Sequence, residues 1–176
     1  MTAMTPSVEQ YLQLLGETDP IQVLSNAPGR LEFWLERAHP DSFDEPVAGA
    51  GLGPSETPRD VLAGLADFEL VAGFRLRQLI ALPGIEIQTI DRSLWASRYR
   101  RCEPTLAFEA FRALRSWNLA LLAGFSLEDW LAEGFHPERG FESCDLIVRH
   151  LAGHDLDTML RLGIDLLGTG SRSSNP

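Results

Sequence analysis

The sequence contains no lysine, because all fifteen of its basic residues are arginine. Imine formation on a lysine amine and lysine general-base catalysis are therefore excluded. The 25 acidic residues outnumber the basic ones, so the formal net charge is -10. A strongly acidic protein binds the phosphate backbone of nucleic acids poorly. We therefore expect no nucleic-acid partner.

Long apolar runs and cysteines are also scarce. No run approaches the roughly 18 apolar residues of a membrane-spanning helix. The first ten residues lack the basic flank and apolar segment of a signal peptide. Cys102 and Cys144 lie far apart, as is typical of free thiols in a reducing cytoplasm. Both lie near predicted helix starts, where the helix dipole can lower a thiol pKa, but buried inert thiols are the more frequent case. We expect a cytoplasmic protein without membrane association.

Signals for the beginning and end of helices recur along the chain. They predict helices over residues 8–15, 19–38 (broken or kinked near Pro28), 58–82, 104–123 and 143–167, with one extra turn at 126–134 and a loop at 39–56. Residues 85–101 are predicted to form a strap between distant helices, because the alternating IEIQTI has no evident partner strand. No strand of consequence is predicted. The pattern indicates an all-α four-helix bundle with a long crossover between helices two and three.

The last predicted helix, Ser143 to Leu167, is the longest helical pattern, and we expect the rest of the chain to pack around it. At about 100° per residue it carries two apolar strips and one polar line. The strips are Ile147, Leu151 and Leu162, then Leu146, Leu160 and Ile164, and the polar line is His150, His154, Asp157, Arg161 and Asp165. The polar line is either a solvated edge or the lining of an internal cleft.

Several segments together resemble the DinB/YfiT-like superfamily of four-helix bundles. They are TPRDVLAGLADFELVAGFRLRQLI, FRALRSWNLALLAG, HPERG and LAGHDLDTM, and the similarity extends from about Tyr11 to Ile164. The resemblance implies one bundle domain over residues 1–176, with tails at 1–5 and 169–176. Members of the superfamily commonly bind a divalent metal through three histidines and are often dimers. Some are thiol-dependent S-transferases or isomerases, and many have no established activity.

The metal-ligand pattern of that superfamily is broken in this sequence. By family position, the ligand on the second helix falls on Gly64, the first ligand on the last helix is His154, and its partner falls on Thr158. These three positions mark the expected cleft. A single imidazole holds zinc or nickel weakly, because stable sites use three or four protein ligands. We therefore expect no cofactor.

An altered metal site is the alternative. His150 lies one helical turn before His154, Asp67 one turn after Gly64, and Asp157 near His154, so zinc or nickel could be held by such a set. Gly64 and Gly153 each indicate either close helix packing, which is the more frequent case, or a small open space.

One basic and aromatic cluster lies on the predicted strap. It consists of Arg92, Arg98, Arg100, Arg101, Trp95 and Tyr99. Such a cluster could bind an anionic ligand, for example the carboxylate of a thiol cofactor. We favour the alternative that it pins the strap to acidic helices.

The favoured function is that of a homodimeric small-molecule-binding or structural protein without the family metal centre. The alternative is a metal-dependent S-transferase or isomerase that uses a low-molecular-weight thiol.

Overall fold

A computed structural model describes residues 7–47 and 56–165. The predicted tails and part of the predicted loop at 39–56 lie outside these residues. The helices are α1 (Val8–Leu15), α2 (Pro20–Leu35), α3 (Pro58–Ala81), α4 (Arg92–Ala96), α5 (Pro104–Leu122), α6 (Leu127–Leu131) and α7 (Cys144–Arg161), and the strands are β1 (Glu133–His136) and β2 (Gly140–Ser143). Two short 3-10 segments, Pro40–Asp44 and Tyr99–Arg101, complete the described structure.

The four longest helices in the described part of the chain, α2, α3, α5 and α7, form a bundle. Helix α3 packs along α5, and α7 packs against α1, α2 and α3. Two apolar clusters fill the bundle, one around Leu76 and Val148 and the other around Leu62 and Phe111. Residues 82–103 cross over between α3 and α5. The predicted all-α bundle with a long crossover is confirmed.

Local capping explains why the helices begin where the sequence predicts. The side chains of Ser7, Thr57 and Ser126 each accept a hydrogen bond from the third backbone N–H of their helix, and the third residue reciprocates. Ser143 caps α7 by accepting from the N–H of Leu146 at 3.2 Å. These contacts satisfy donors that otherwise have no partner in the first turn.

The predicted break at Pro28 is wrong, because α2 continues from Pro20 to Leu35. Proline has no N–H, so the carbonyl four residues earlier loses its helical donor. Here that carbonyl belongs to Leu24, and Nη1 of Arg115 donates to it at 2.9 Å. A side chain from α5 thus replaces the hydrogen bond that Pro28 removes.

The last helix is shorter than predicted, since α7 ends at Arg161. The N–H of Ile164 donates to the Met159 carbonyl at 2.8 Å, and that of Gly163 donates to the Leu160 carbonyl at 3.0 Å. These two hydrogen bonds form a Schellman motif, which requires a residue with a left-handed backbone conformation. Gly163 adopts this conformation, with φ 71°. With 18 residues, α7 is not the longest helix, because α3 has 24. Leu160 is half exposed, so the second predicted apolar strip is only partly buried.

The expectation of no strands is also wrong. Strands β1 and β2 form an antiparallel hairpin whose turn is the HPERG segment. The start of the strap pairs with it, because Phe135 donates to the Ile85 carbonyl and Ile87 donates to the Phe135 carbonyl. A Cβ on Gly134 would lie 2.7 Å from the Ile85 carbonyl oxygen, so glycine permits the close approach of the strap to the hairpin. The partner of IEIQTI is therefore a hairpin that forms about fifty residues later in the chain.

None of the helices within residues 7–47 and 56–165 is long and apolar enough to cross a lipid bilayer.

Candidate functional site

His154 lies at the centre of an aromatic and cationic environment. It is 2% exposed and stacks on Phe68, with ring centroids 4.2 Å apart. Tyr11 meets the same imidazole edge-on at 5.5 Å. Burial and nearby positive charges, Arg92 first among them, hold the pKa of His154 well below its usual range. The imidazole is therefore neutral at physiological pH.

The guanidinium of Arg92 occupies the space in front of this imidazole. Its Nη2 lies 3.3 Å from Nε2 of His154. Because an arginine only donates, Nε2 accepts and the imidazole proton resides on Nδ1. The same Nη2 lies 3.6 Å from the position that a Cβ on Gly64 would take, and a ring carbon of Tyr99 lies 3.9 Å from it. The space beside Gly64 is thus filled by the strap rather than by a facing helix.

This arrangement does not fit a divalent cation held by His154. The atom that would coordinate the ion already accepts a hydrogen bond from a cationic group. Across the described residues, no group of three or more His, Cys, Asp or Glu side chains is placed to hold a metal. Nδ1 of His154 is buried and has no hydrogen-bond partner among the described residues. In the neutral ring Nδ1 carries the proton, so it has no lone pair for a metal ion.

The other residues predicted for a metal site have different partners. Asp67 accepts a hydrogen bond from the Tyr99 hydroxyl at 2.6 Å. Asp157 accepts from Nε of Arg161 at 3.0 Å, and Thr158 is buried beside the same guanidinium. Asp67 and Asp157 are therefore each engaged by a different residue, whereas His150 and His154 share Tyr11 and Phe68 as neighbours.

His150 lines an open cavity of about 430 Å³. Its ring stacks on Tyr11 at 5.3 Å and meets Phe68 edge-on at 5.2 Å. Burial, followed by the charge of Arg139, lowers the pKa of His150 to about 4. Arg92 also borders the cavity, whereas Gly64, His154 and Thr158 do not. The cavity therefore lies next to the cleft predicted from family positions, with Arg92 between them.

The arginine cluster of the strap is divided by the fold. Arg92 points into the bundle and lies over the Phe68 ring, with Cζ 4.9 Å from the centroid. Arg98, Arg100 and Arg101 are exposed. The strap is held to α3 by the hydrogen bond from Tyr99 to Asp67 and by the hydrogen bond from Arg75 to the Gln88 carbonyl.

A buried ionic network that was not predicted from the sequence connects three helices. Nε of Arg115 donates to Glu69 at 2.9 Å and its Nη1 donates to Asp155 at 2.6 Å. Asn118 donates to the Glu69 carboxylate at 2.8 Å. Arg115, Glu69 and Asp155 are each no more than 1% exposed.

A spacing in the sequence could have revealed this network. On α5 the buried positions repeat at intervals of three and four: Phe108, Phe111, Arg115, Asn118 and Leu122. Glu69 follows the same rule on α3, and Asp155 follows it on α7. Charged residues at core positions of three helices indicate a buried charge cluster.

The two cysteines lie in different environments. Cys144 is fully buried, and burial raises its pKa to about 11. Cys102 is half-buried, and its carbonyl accepts a hydrogen bond from Arg59. Both are free thiols.

Comparison with known proteins identifies the fold. No protein-family model and no curated protein matches the sequence. A solved structure, YfiT from Bacillus subtilis, is similar to this chain with a TM-score of 0.67 and 21% sequence identity, over 92% of each chain. That protein is described as a probable metal-dependent hydrolase with an unusual four-helix bundle topology. The chain described here has the DinB/YfiT-like four-helix-bundle fold.

Proposed function

We propose that this protein binds a small molecule on a DinB/YfiT-like scaffold without using the family metal centre. The contact between Arg92 and His154 carries the proposal, because a guanidinium lies where a cation would bind the imidazole. Glycine at position 64 and threonine at 158 supply no imidazole beside it. The open cavity next to Arg92 then offers the ligand site.

The size and lining of the cavity support this proposal. Small-molecule sites typically enclose about 300–1,000 Å³ and combine apolar walls with a few polar groups. The cavity of about 430 Å³ is bordered by Phe68, Val71 and Trp95, and by the imidazole of His150. The aromatic walls favour a ligand with a flat apolar body.

Metal analysis tests the first half of the proposal. Protein purified without a metal-affinity tag is dialysed against zinc or nickel and measured by elemental analysis. We expect far less than one ion per chain. A near-stoichiometric ion that is lost in His154→Ala would refute the proposal and favour the metal-dependent thiol transferase. Retention of the ion in His154→Ala would also refute it, and would place the metal elsewhere.

Ligand binding tests the second half. Neutral naphthamide is titrated into the protein while the fluorescence of Trp95 and the other tryptophans is followed. We expect saturable binding that Val71→Trp abolishes, because the larger side chain fills the cavity. Leu160→Trp is the matched control, since Leu160 is half exposed on α7 and does not border the cavity. Equal loss in both variants would contradict binding at this site.

We further propose that the protein is a homodimer. The family resemblance supports this, and so do the exposed apolar side chains Leu70, Phe74 and Trp117 on the adjacent helices α3 and α5. Sedimentation equilibrium is expected to give twice the mass of the chain. A monomer mass would contradict the proposal.

A further inference from the structure

Two guanidinium groups border the cavity without a carboxylate partner. Within residues 7–47 and 56–165, neither Arg75 nor Arg92 forms an ion pair. Nη2 of Arg75 donates to the Gln88 carbonyl at 3.0 Å, and Arg92 contacts the neutral His154. Both arginines are half-buried. Two guanidinium groups without a direct ion pair among the described residues therefore face one small space.

The carboxylates around the cavity form no ion pair with Arg75 or Arg92 in the described part of the chain. Glu142 accepts two hydrogen bonds from Arg139, at 2.6 and 2.8 Å. Asp67 is engaged by Tyr99, and Glu9 lies exposed at the rim. Among the charged residues that border the cavity, Arg139 and Glu142 are joined directly, so Arg75 and Arg92 remain able to pair with an incoming anion.

The partial burial of Arg75 also favours the binding of an anion. Burial, followed by the like charge of Arg139, lowers the pKa of Arg75. A lowered pKa means that the charged form is destabilised at this position. An anion bound beside Arg75 would restore favourable electrostatic interactions to a guanidinium that has lost part of its hydration.

The remaining walls of the cavity are apolar. They are formed by the side chains of Tyr11, Phe68, Val71, Ile90, Trp95 and Leu146. Arg92 connects the two kinds of surface, because its guanidinium lies over the face of Phe68 and also borders the cavity. A ligand that satisfies both surfaces has an anionic head and an apolar body.

We propose that the cavity binds an organic carboxylate with an aromatic or aliphatic body, whose carboxylate faces Arg75 and Arg92 while its body contacts Phe68 and Trp95. This inference rests on the proposed function, because it requires the cavity beside Arg92 to be a ligand site. It adds the charge and chemical class of the ligand.

Two probes of the same shape test the inference. Naphthoate carries a carboxylate, and naphthamide replaces it with a neutral amide. Isothermal titration calorimetry of the unmodified protein should show naphthoate binding roughly tenfold or more tightly, as expected for hydrogen bonds from charged donors. Arg75→Gln and Arg92→Gln should each remove most of this preference, measured in each variant as the ratio of the two affinities.

Charge-retaining and distant variants complete the design. Arg75→Lys keeps the positive charge and should retain part of the preference for naphthoate. Arg98→Gln removes an exposed charge from the same strap outside the cavity, and should leave both affinities unchanged. Circular dichroism and thermal melting establish that each variant is folded. A Gln variant that does not fold is replaced by the Met substitution at the same position, which also removes the positive charge.

The possible failures are distinguishable. Equal affinity for the two probes, or the same weakening in Arg98→Gln as in Arg75→Gln, would overturn the carboxylate assignment and leave cavity binding intact. Loss of binding by both probes would overturn the carboxylate assignment together with the proposed ligand site. A stoichiometric metal ion would refute the proposed function even if the preference for naphthoate were found.

Discussion

Replacing Arg115 by methionine should destabilise the protein far more than replacing Arg112, three residues earlier on the same helix. Arg115 holds Glu69 and Asp155 through contacts of 2.6–2.9 Å, and all three side chains are buried. Arg112 pairs with Glu32 and Glu109 at the surface, where its side chain is 44% exposed. Methionine keeps an unbranched apolar stem and removes the charged head of arginine.

The magnitude follows from the burial of the two carboxylates. Removing one partner of a buried ion pair typically costs about 3–5 kcal/mol, because the remaining charge stays in the core. Protonating a carboxylate at pH 7 instead costs about 4 kcal/mol, from its ordinary pKa of about 4. Arg115→Met also leaves the Leu24 carbonyl without its donor, which adds about 1–3 kcal/mol. We therefore expect a loss of at least about 3 kcal/mol, against about 0–1 kcal/mol for Arg112→Met.

Urea unfolding followed by circular dichroism measures both losses. The loss in Arg115→Met should shrink by roughly 2–3 kcal/mol at pH 5, because protonation of one carboxylate then costs much less. Adding Glu69→Gln to Arg115→Met should recover part of the stability at pH 7. A loss below about 1 kcal/mol at pH 7, equal to that of Arg112→Met, would show that the network is not buried as described.

Three further predictions concern packing, pH and the strap. Gly153→Ala should lower the melting temperature strongly, because its Cβ would lie 2.6 Å from the carbonyl carbon of Tyr11. Gly64→Ala should leave the melting temperature nearly unchanged, because its Cβ would lie 3.6 Å from the nearest atom. Similar melting temperatures for the two variants in calorimetry would contradict the close contact of α1 and α7. The free energy of unfolding should fall as pH drops from about 6.5 to 4, because the unfolded state protonates His150 and the folded state does so only near 4. The difference in the pKa of His150 between the two states lowers the free energy of unfolding by up to roughly 3 kcal/mol. Burial raises the pKa of Asp155 to about 6, so protonation of Asp155 stabilises the folded state over the same pH range. In urea titrations, His150→Gln should reduce the change in the free energy of unfolding with pH. Tyr99→Phe should cost about 1–3 kcal/mol and speed amide exchange across the strap, since it removes a hydrogen bond to a carboxylate; unchanged exchange would contradict the role of this bond.

The helix starts were predictable from sequence because capping is local. Each capping side chain accepts a hydrogen bond from a backbone N–H only three residues later, as at Ser7, Thr57 and Ser143. The end of α7 was missed for a similar local reason, since the glycine at position 163 lay within an apolar run and was read as helix.

The contact between Arg92 and His154 could not be predicted, because the two residues are 62 positions apart. The resemblance identified His154 and the replacement at Gly64, but it did not show what fills the space between them. The pairing of Ile85 with Phe135 could not be predicted for the same reason, because short strands are stabilised by partners that are distant in sequence.

The position of Arg92 constrains how such a protein could change by mutation. A histidine introduced at position 64 would project toward the guanidinium that lies 3.6 Å from the Cβ position there. It would meet a bulky cation before it met any metal. A three-imidazole cluster would therefore require a change in the crossover segment that carries Arg92, as well as new histidines at positions 64 and 158.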